Sequence, residues 1–163
     1  YATLFENVSG SVIMGLLVGL WWVYFDQEAE ADEAALVAAQ GVDRARMARD
    51  LYSYLHVPLV LGVVFAAVGI HEALLHRGEP LDPVFAAAFA GGVALYLGAL
   101  AAIRVRRGSR PGGPCLAALV VALAMVPLGQ EMDAVASAAV LAAAVLAAAF
   151  AERPRSGVLE SSP

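Results

Sequence analysis

Lysine is absent from this chain, cysteine occurs once, and charged residues make up only 15% of its 163 positions. Soluble globular domains carry about a quarter charged residues. So small a share, beside 61% hydrophobic residues and a mean hydropathy of +0.74, excludes that class and points to an integral membrane protein. Cys115 has no second thiol with which to close a disulfide, and no Cys/His spacing of the structural zinc kind occurs, so a buried, inert thiol is expected. There is no phosphate-cradling Gly-x-x-x-x-Gly-Lys-Ser/Thr loop, no Gly-x-Ser-x-Gly elbow and no His-Glu-x-x-His helix. Neither enzymatic chemistry nor a metal or other cofactor is expected. All ten basic residues are arginine, a bias that, with abundant Ala, Val and Leu, fits a GC-rich bacterial coding sequence.

What the chain has instead is apolar runs of helix length. Leu51 to His76, LYSYLHVPLVLGVVFAAVGIHEALLH, is the clearest, because Val57 to Ile70 holds no charged or strongly polar side chain. With its flanks it supplies the roughly 20 residues needed to cross about 30 Å of hydrocarbon. Residues 8–25 form another such run, with Trp21, Trp22 and Tyr24 at its end, where amphipathic rings favour the headgroup region. Residues 84–103, 115–129 and 134–151 complete the set. The fourth is short and carries Pro127, and the fifth is dominated by alanine. The fold class expected is all-α, a polytopic transmembrane helix bundle of about five spans forming one domain over 1–151, with a disordered tail at 152–163. Ser11, Gly15 and Gly19, and likewise Ala86, Ala90, Ala94, Gly98 and Ala102, recur every fourth residue and predict faces where neighbouring backbones approach closely.

The loop at 26–50 is the one sizeable polar stretch, with seven acids against Arg44, Arg46 and Arg49, so most of the net charge of −5 resides there. A solvated helical hairpin is expected, broken at Gly41, with Asp43 capping its second helix. Placing this loop, the 104–114 loop and the tail in the cytoplasm puts nine arginines inside against Arg77 outside. That orientation leaves Tyr1 outside, and without a visible signal peptide it leads us to expect upstream transmembrane helices of the same polypeptide. The expected location is the bacterial inner membrane. The lipid bilayer and those upstream helices are the expected partners, homo-oligomerisation is left open, and the 104–110 arginines read as a topology signal rather than a nucleic-acid site.

Titratable groups in or beside spans are the default candidates for function. His56 lies one turn into the second span, where an interfacial, hydrogen-bonded histidine is the plainer reading and a proton relay the functional one. His71 and Glu72 lie at its far end, and Glu72 and His76, four apart, can pair or loosely hold a metal. With Glu79, Asp82, Glu131 and Asp133 on the same side, an acidic mouth that draws cations is the alternative to ordinary polar loops. A transporter or channel half gated by His56 or Glu72 is therefore the alternative functional reading.

Two stretches together, WWVYFD at 21–26 and ARDLYSYLHVPLVLGVVFAAVGIHEAL at 48–74, resemble the C-terminal half of the bacterial low temperature requirement A proteins. The resemblance implies a multi-spanning membrane protein with a non-enzymatic role in membrane or cold-stress physiology. It singles out Trp22, Asp26, Tyr54, His56 and Pro58, with Trp21 and Tyr24 beside them. The family's Glu-Arg and Phe-Phe-Asp elements have no counterpart in this chain.

Overall fold

The computed structural model describes residues 2–25, 28–76 and 79–152. Among these residues seven α-helices follow one another: α1 (Ala2–Phe25), α2 (Glu28–Ala38), α3 (Gly41–Arg49), α4 (His56–Leu75), α5 (Pro83–Arg106), α6 (Gly113–Leu128) and α7 (Ala134–Ala151). A π-helical turn, Asp50–Tyr54, joins α3 to α4. Among the described residues four stretches are long and apolar enough to cross a membrane: Asn7–Phe25, Gly41–Leu75, Pro83–Arg106 and Ala134–Ala151. Gly113–Leu128 is a shorter apolar helix. The expected all-helical bundle is thus what the chain forms.

The helix ends follow from local chemistry. Asp82 accepts a hydrogen bond from the Val84 amide ahead of Pro83, and Asp133 accepts one from Ala136, so α5 and α7 both begin on a carboxylate cap. Helix α3 departs from the expected start, because it begins at Gly41, whose φ of +55° suits glycine. Asp43 lies inside its first turn rather than capping it, and there its charge still meets the positive end of the helix dipole.

The π turn has its own cause. Pro58 has no amide hydrogen to give the Tyr54 carbonyl, and its ring crowds the preceding turn. Upstream the ladder widens, with the Leu55 amide donating to the Asp50 carbonyl at 2.9 Å. The Tyr-x-Tyr-x-His-x-Pro pattern is therefore a π turn followed by a proline.

Helix α5 is the centre of the bundle, and its closest partner is α4. A Cβ on Gly62 would lie 2.7 Å from the Tyr96 nitrogen and 2.8 Å from the Gly92 carbonyl oxygen, and one on Gly92 would collide with the Ala66 nitrogen. Gly69 is in the same position against Phe89. These glycines let the two backbones meet, as small residues do between membrane helices. Helices α1 and α7 meet through side chains instead: a Cβ on Gly19 would lie 3.0 Å from the Val145 side chain and 3.1 Å from that of Leu146, whereas one on Gly15 would make only ordinary contact with Leu146. Ser11, expected on that face, is exposed, and its hydroxyl donates instead to the Asn7 carbonyl. The Tyr96 hydroxyl donates to the Leu20 carbonyl at 2.8 Å and so ties α5 to α1.

Large apolar side chains cover the outside, among them Met14, Val60, Val64, Val120 and Leu123. A surface of this kind suits hydrocarbon rather than water. At the end away from the α2–α3 arm, the Ala134 amide donates to the Glu79 carbonyl and joins the α4–α5 turn to the start of α7.

Gly62→Val should push α4 and α5 apart and lower the unfolding temperature in detergent, by the equivalent of about 1–3 kcal/mol. Gly10→Ala, where an added Cβ meets nothing within 4 Å, should be neutral or slightly stabilising. Equal melting of the two variants would refute close backbone packing as the basis of the α4–α5 contact.

Candidate functional site: the arginine end of the bundle

Val93, Leu97 and Leu100 form a buried stripe along α5, and Arg104 continues it at the same helical spacing. Its guanidinium is therefore delivered into the interior, with a side chain only 7% exposed. There Nη1 lies 2.8 Å from Oε2 of Glu152, itself 9% exposed. The other Glu152 oxygen, Oε1, accepts the Cys115 amide at 2.9 Å, in the first turn of α6. One carboxylate at the end of α7 thus holds α5 by charge and α6 by its orphan amide. Gly112 stands directly against it, and a Cβ there would collide with the carboxylate.

The two arginines after it reach other elements. Arg107 donates to Asp32 of α2 at 2.5 Å, with both side chains under 10% exposed. Arg106 Nε lies 2.8 Å from Oδ2 of Asp50, whose Oδ1 also meets Arg49. Asp50 precedes the crossing part of the α4 segment. The Arg106 hydrogen bond, with Arg49 adding to it, holds its carboxyl below the usual carboxylate value despite some desolvation. Arg104 and Arg106 in the last turn of α5, and Arg107 capping it, therefore bind Glu152, Asp50 and Asp32, each on a different element.

The residues singled out by sequence are spread along the bundle. Trp22 packs on Phe150 of α7 with ring centroids 5.4 Å apart. His56 is half-buried and meets Tyr24 edge-on at 6.3 Å, so its neighbour is an aromatic ring. Tyr54 is exposed under the Arg49 guanidinium, 5.5 Å from its ring centre. Pro58 borders a hollow with Leu55 and Gly98. Asp26 lies outside the described residues. At the far end His71 is exposed, and Glu72 pairs with His76 at 2.9 Å beside Glu79 and Asp82. His56 and Glu72 stand 16 residues apart on α4, about 24 Å at 1.5 Å per residue, so they form no single site. Among the described residues no group of three His, Cys, Asp or Glu is placed to hold a metal.

Sequence reasoning passed over Arg104, Asp32 and Glu152. Glu152, expected in a disordered tail, is the C-terminal cap of α7, with its side chain only 9% exposed. The rest of that tail, from 153 on, lies outside the described residues. The available signal was the spacing 93, 97, 100, 104, which carries the core stripe onto an arginine.

Asp32→Asn should weaken the hold of Arg107 on α2. Amide exchange across 28–38 is expected to accelerate strongly while α5 and α7 keep their protection, as for local opening of an arm. Unchanged exchange in α2 would mean that the arm is held by something else.

A family model, that of the bacterial low temperature requirement A protein, matches residues 7–150 of this chain. An uncharacterized protein of Rhizobium meliloti (strain 1021) is 35% identical over 80 residues, a stretch that is 48% of this chain and 19% of that relative's length. No solved structure matches. With its membrane-length helices and a match over nearly all of its described length, this chain is a membrane protein belonging to the bacterial low temperature requirement A family.

Proposed function

We propose that this chain is the C-terminal, five-span portion of a longer, non-enzymatic protein of the bacterial inner membrane, with a structural role in membrane or cold-stress physiology. The observation that carries the reading is the use made of buried charge. Arg104, Glu152, Arg107 and Asp32 are joined in pairs that fasten α2, α5, α6 and α7 to one another. Groups engaged in this way stabilise a scaffold and offer little to a substrate. The longer polypeptide is supported by the relative, of which the match covers only 19%. The cold-related role is supported by the name of the family alone.

The orientation follows from arginine placement. Arg44, Arg46, Arg49, Arg104, Arg106, Arg107 and Arg110 all belong to the end that carries the α2–α3 arm. Cytoplasmic loops hold the arginine excess, a rule that counts basic residues rather than net charge, so pairing with acids does not weaken it. We assign that end to the cytoplasm. A cation pathway through His56 or Glu72 gains no support from the geometry, since the two occupy opposite ends of α4.

The test has two arms. Green fluorescent protein fused after Glu152 should fluoresce, and alkaline phosphatase inserted in the 79–82 turn should be active; the reverse pattern would overturn the orientation. Deleting the whole gene should slow growth in the cold more than at the optimum, with rescue by the full gene. Equal growth of both strains at every temperature would remove the cold-stress role.

A further inference from the structure

One face of α5 packs on α4 through Gly92, but the neighbouring face is open. Two adjoining hollows of about 470 Å³ each share Gly91 and Leu95. Together they form a groove along α5 from Val84 to Ala102, bounded on the α4 side by Leu55, Pro58 and Phe65 and on the α6 side by Leu123. Eighteen residues at 1.5 Å give a length of about 27 Å, close to the hydrocarbon thickness of about 30 Å.

The floor of this groove is made for close approach. Gly91 and Gly98 lie seven apart on it, and an added Cβ at either would meet nothing within 4 Å. Glycine costs roughly 0.5–1 kcal/mol relative to alanine in a helix interior, and an open face gains nothing in return. Where the other α5 glycine, Gly92, is buried, the return is visible as backbone contact with α4. Fluid acyl chains do not require a glycine floor, whereas a second helix backbone does. A single convex rod of membrane length fits this groove.

We propose that the groove receives one apolar transmembrane helix of the same polypeptide, drawn from the part of the protein outside these 163 residues. The proposal rests on the reading of the chain as a portion of a longer protein. The matched relative runs to about 420 residues, since 80 are 19% of it. At about 20 residues per span, such a length leaves room for several further membrane helices.

The experiment uses the whole polypeptide in native membranes, with a photoreactive diazirine amino acid at Leu95 on the groove floor and, in a second variant, at Leu123 on its wall. Illumination followed by mass spectrometry of the digested protein identifies what lies in the groove. The expected result is an intramolecular cross-link from both positions to one apolar peptide outside residues 1–163, lost when Gly98→Leu fills the floor. Cross-links to lipid alone, or to a second copy of the chain, would overturn the proposal. The intact mass of the native protein separates the two levels of failure. A mass near 16.9 kDa, that of this chain, defeats the longer-protein reading itself. A larger mass with lipid or intermolecular cross-links defeats only the occupant of the groove.

Discussion

The contact between Arg104 and Glu152 constrains the structure more than any other single interaction. A guanidinium and a carboxylate, both under 10% exposed, meet at 2.8 Å at the point where three helix ends converge. Taking either charge out of water alone is expensive, and removing one partner of such a pair costs about 3–5 kcal/mol. Glu152 answers two needs at once, since it neutralises Arg104 and receives the Cys115 amide that α6 leaves unsatisfied at its start. The ends of α5 and α7 and the beginning of α6 are therefore held in one register. Arg106 and Arg107 extend the arrangement outward to Asp50 and to Asp32 on the polar arm.

Away from that end the bundle is held by shape. Apolar burial contributes little between helices already surrounded by hydrocarbon, so close packing of small residues takes over. Gly62, Gly69 and Gly92 supply it between α4 and α5, and Gly19, against the side chains of Val145 and Leu146, supplies it between α1 and α7. The two mechanisms divide the bundle along its length. Charge fixes the arginine end, and glycine contacts fix the middle. At the opposite end the Glu79 carbonyl, bonded to the Ala134 amide, joins the two loops.

The apolar helices were legible because an apolar run of about 20 residues has few other uses, and a helix does run from Ala134 to Ala151. Their ends were less so. Helix α5 runs on to Arg106, because arginine is a good helix former and nothing interrupts the helix before Gly108, which has φ +84°. Reading those arginines as a topology signal concealed their pairing. Glu152 is 48 positions from Arg104 and Asp32 is 75 from Arg107, and no periodicity reports a partner at that range. The π turn was hidden for a different reason: Pro58 signals a disturbed ladder without saying how the preceding turn relaxes. Of the residues the resemblance singled out, Trp22 packs on Phe150, His56 meets Tyr24, Tyr54 closes the π turn beneath Arg49, and Pro58 lies four residues beyond it.

The most direct measurement is a double-mutant cycle on the central pair, with Arg104→Met and Glu152→Met made singly and together and unfolding followed in lipid nanodiscs. If the pair organises the bundle, each single change costs about 3 kcal/mol or more, because it strands a buried charge. The double change then costs less than the two singles combined. Strictly additive losses, or single variants as stable as the parent, would contradict the account.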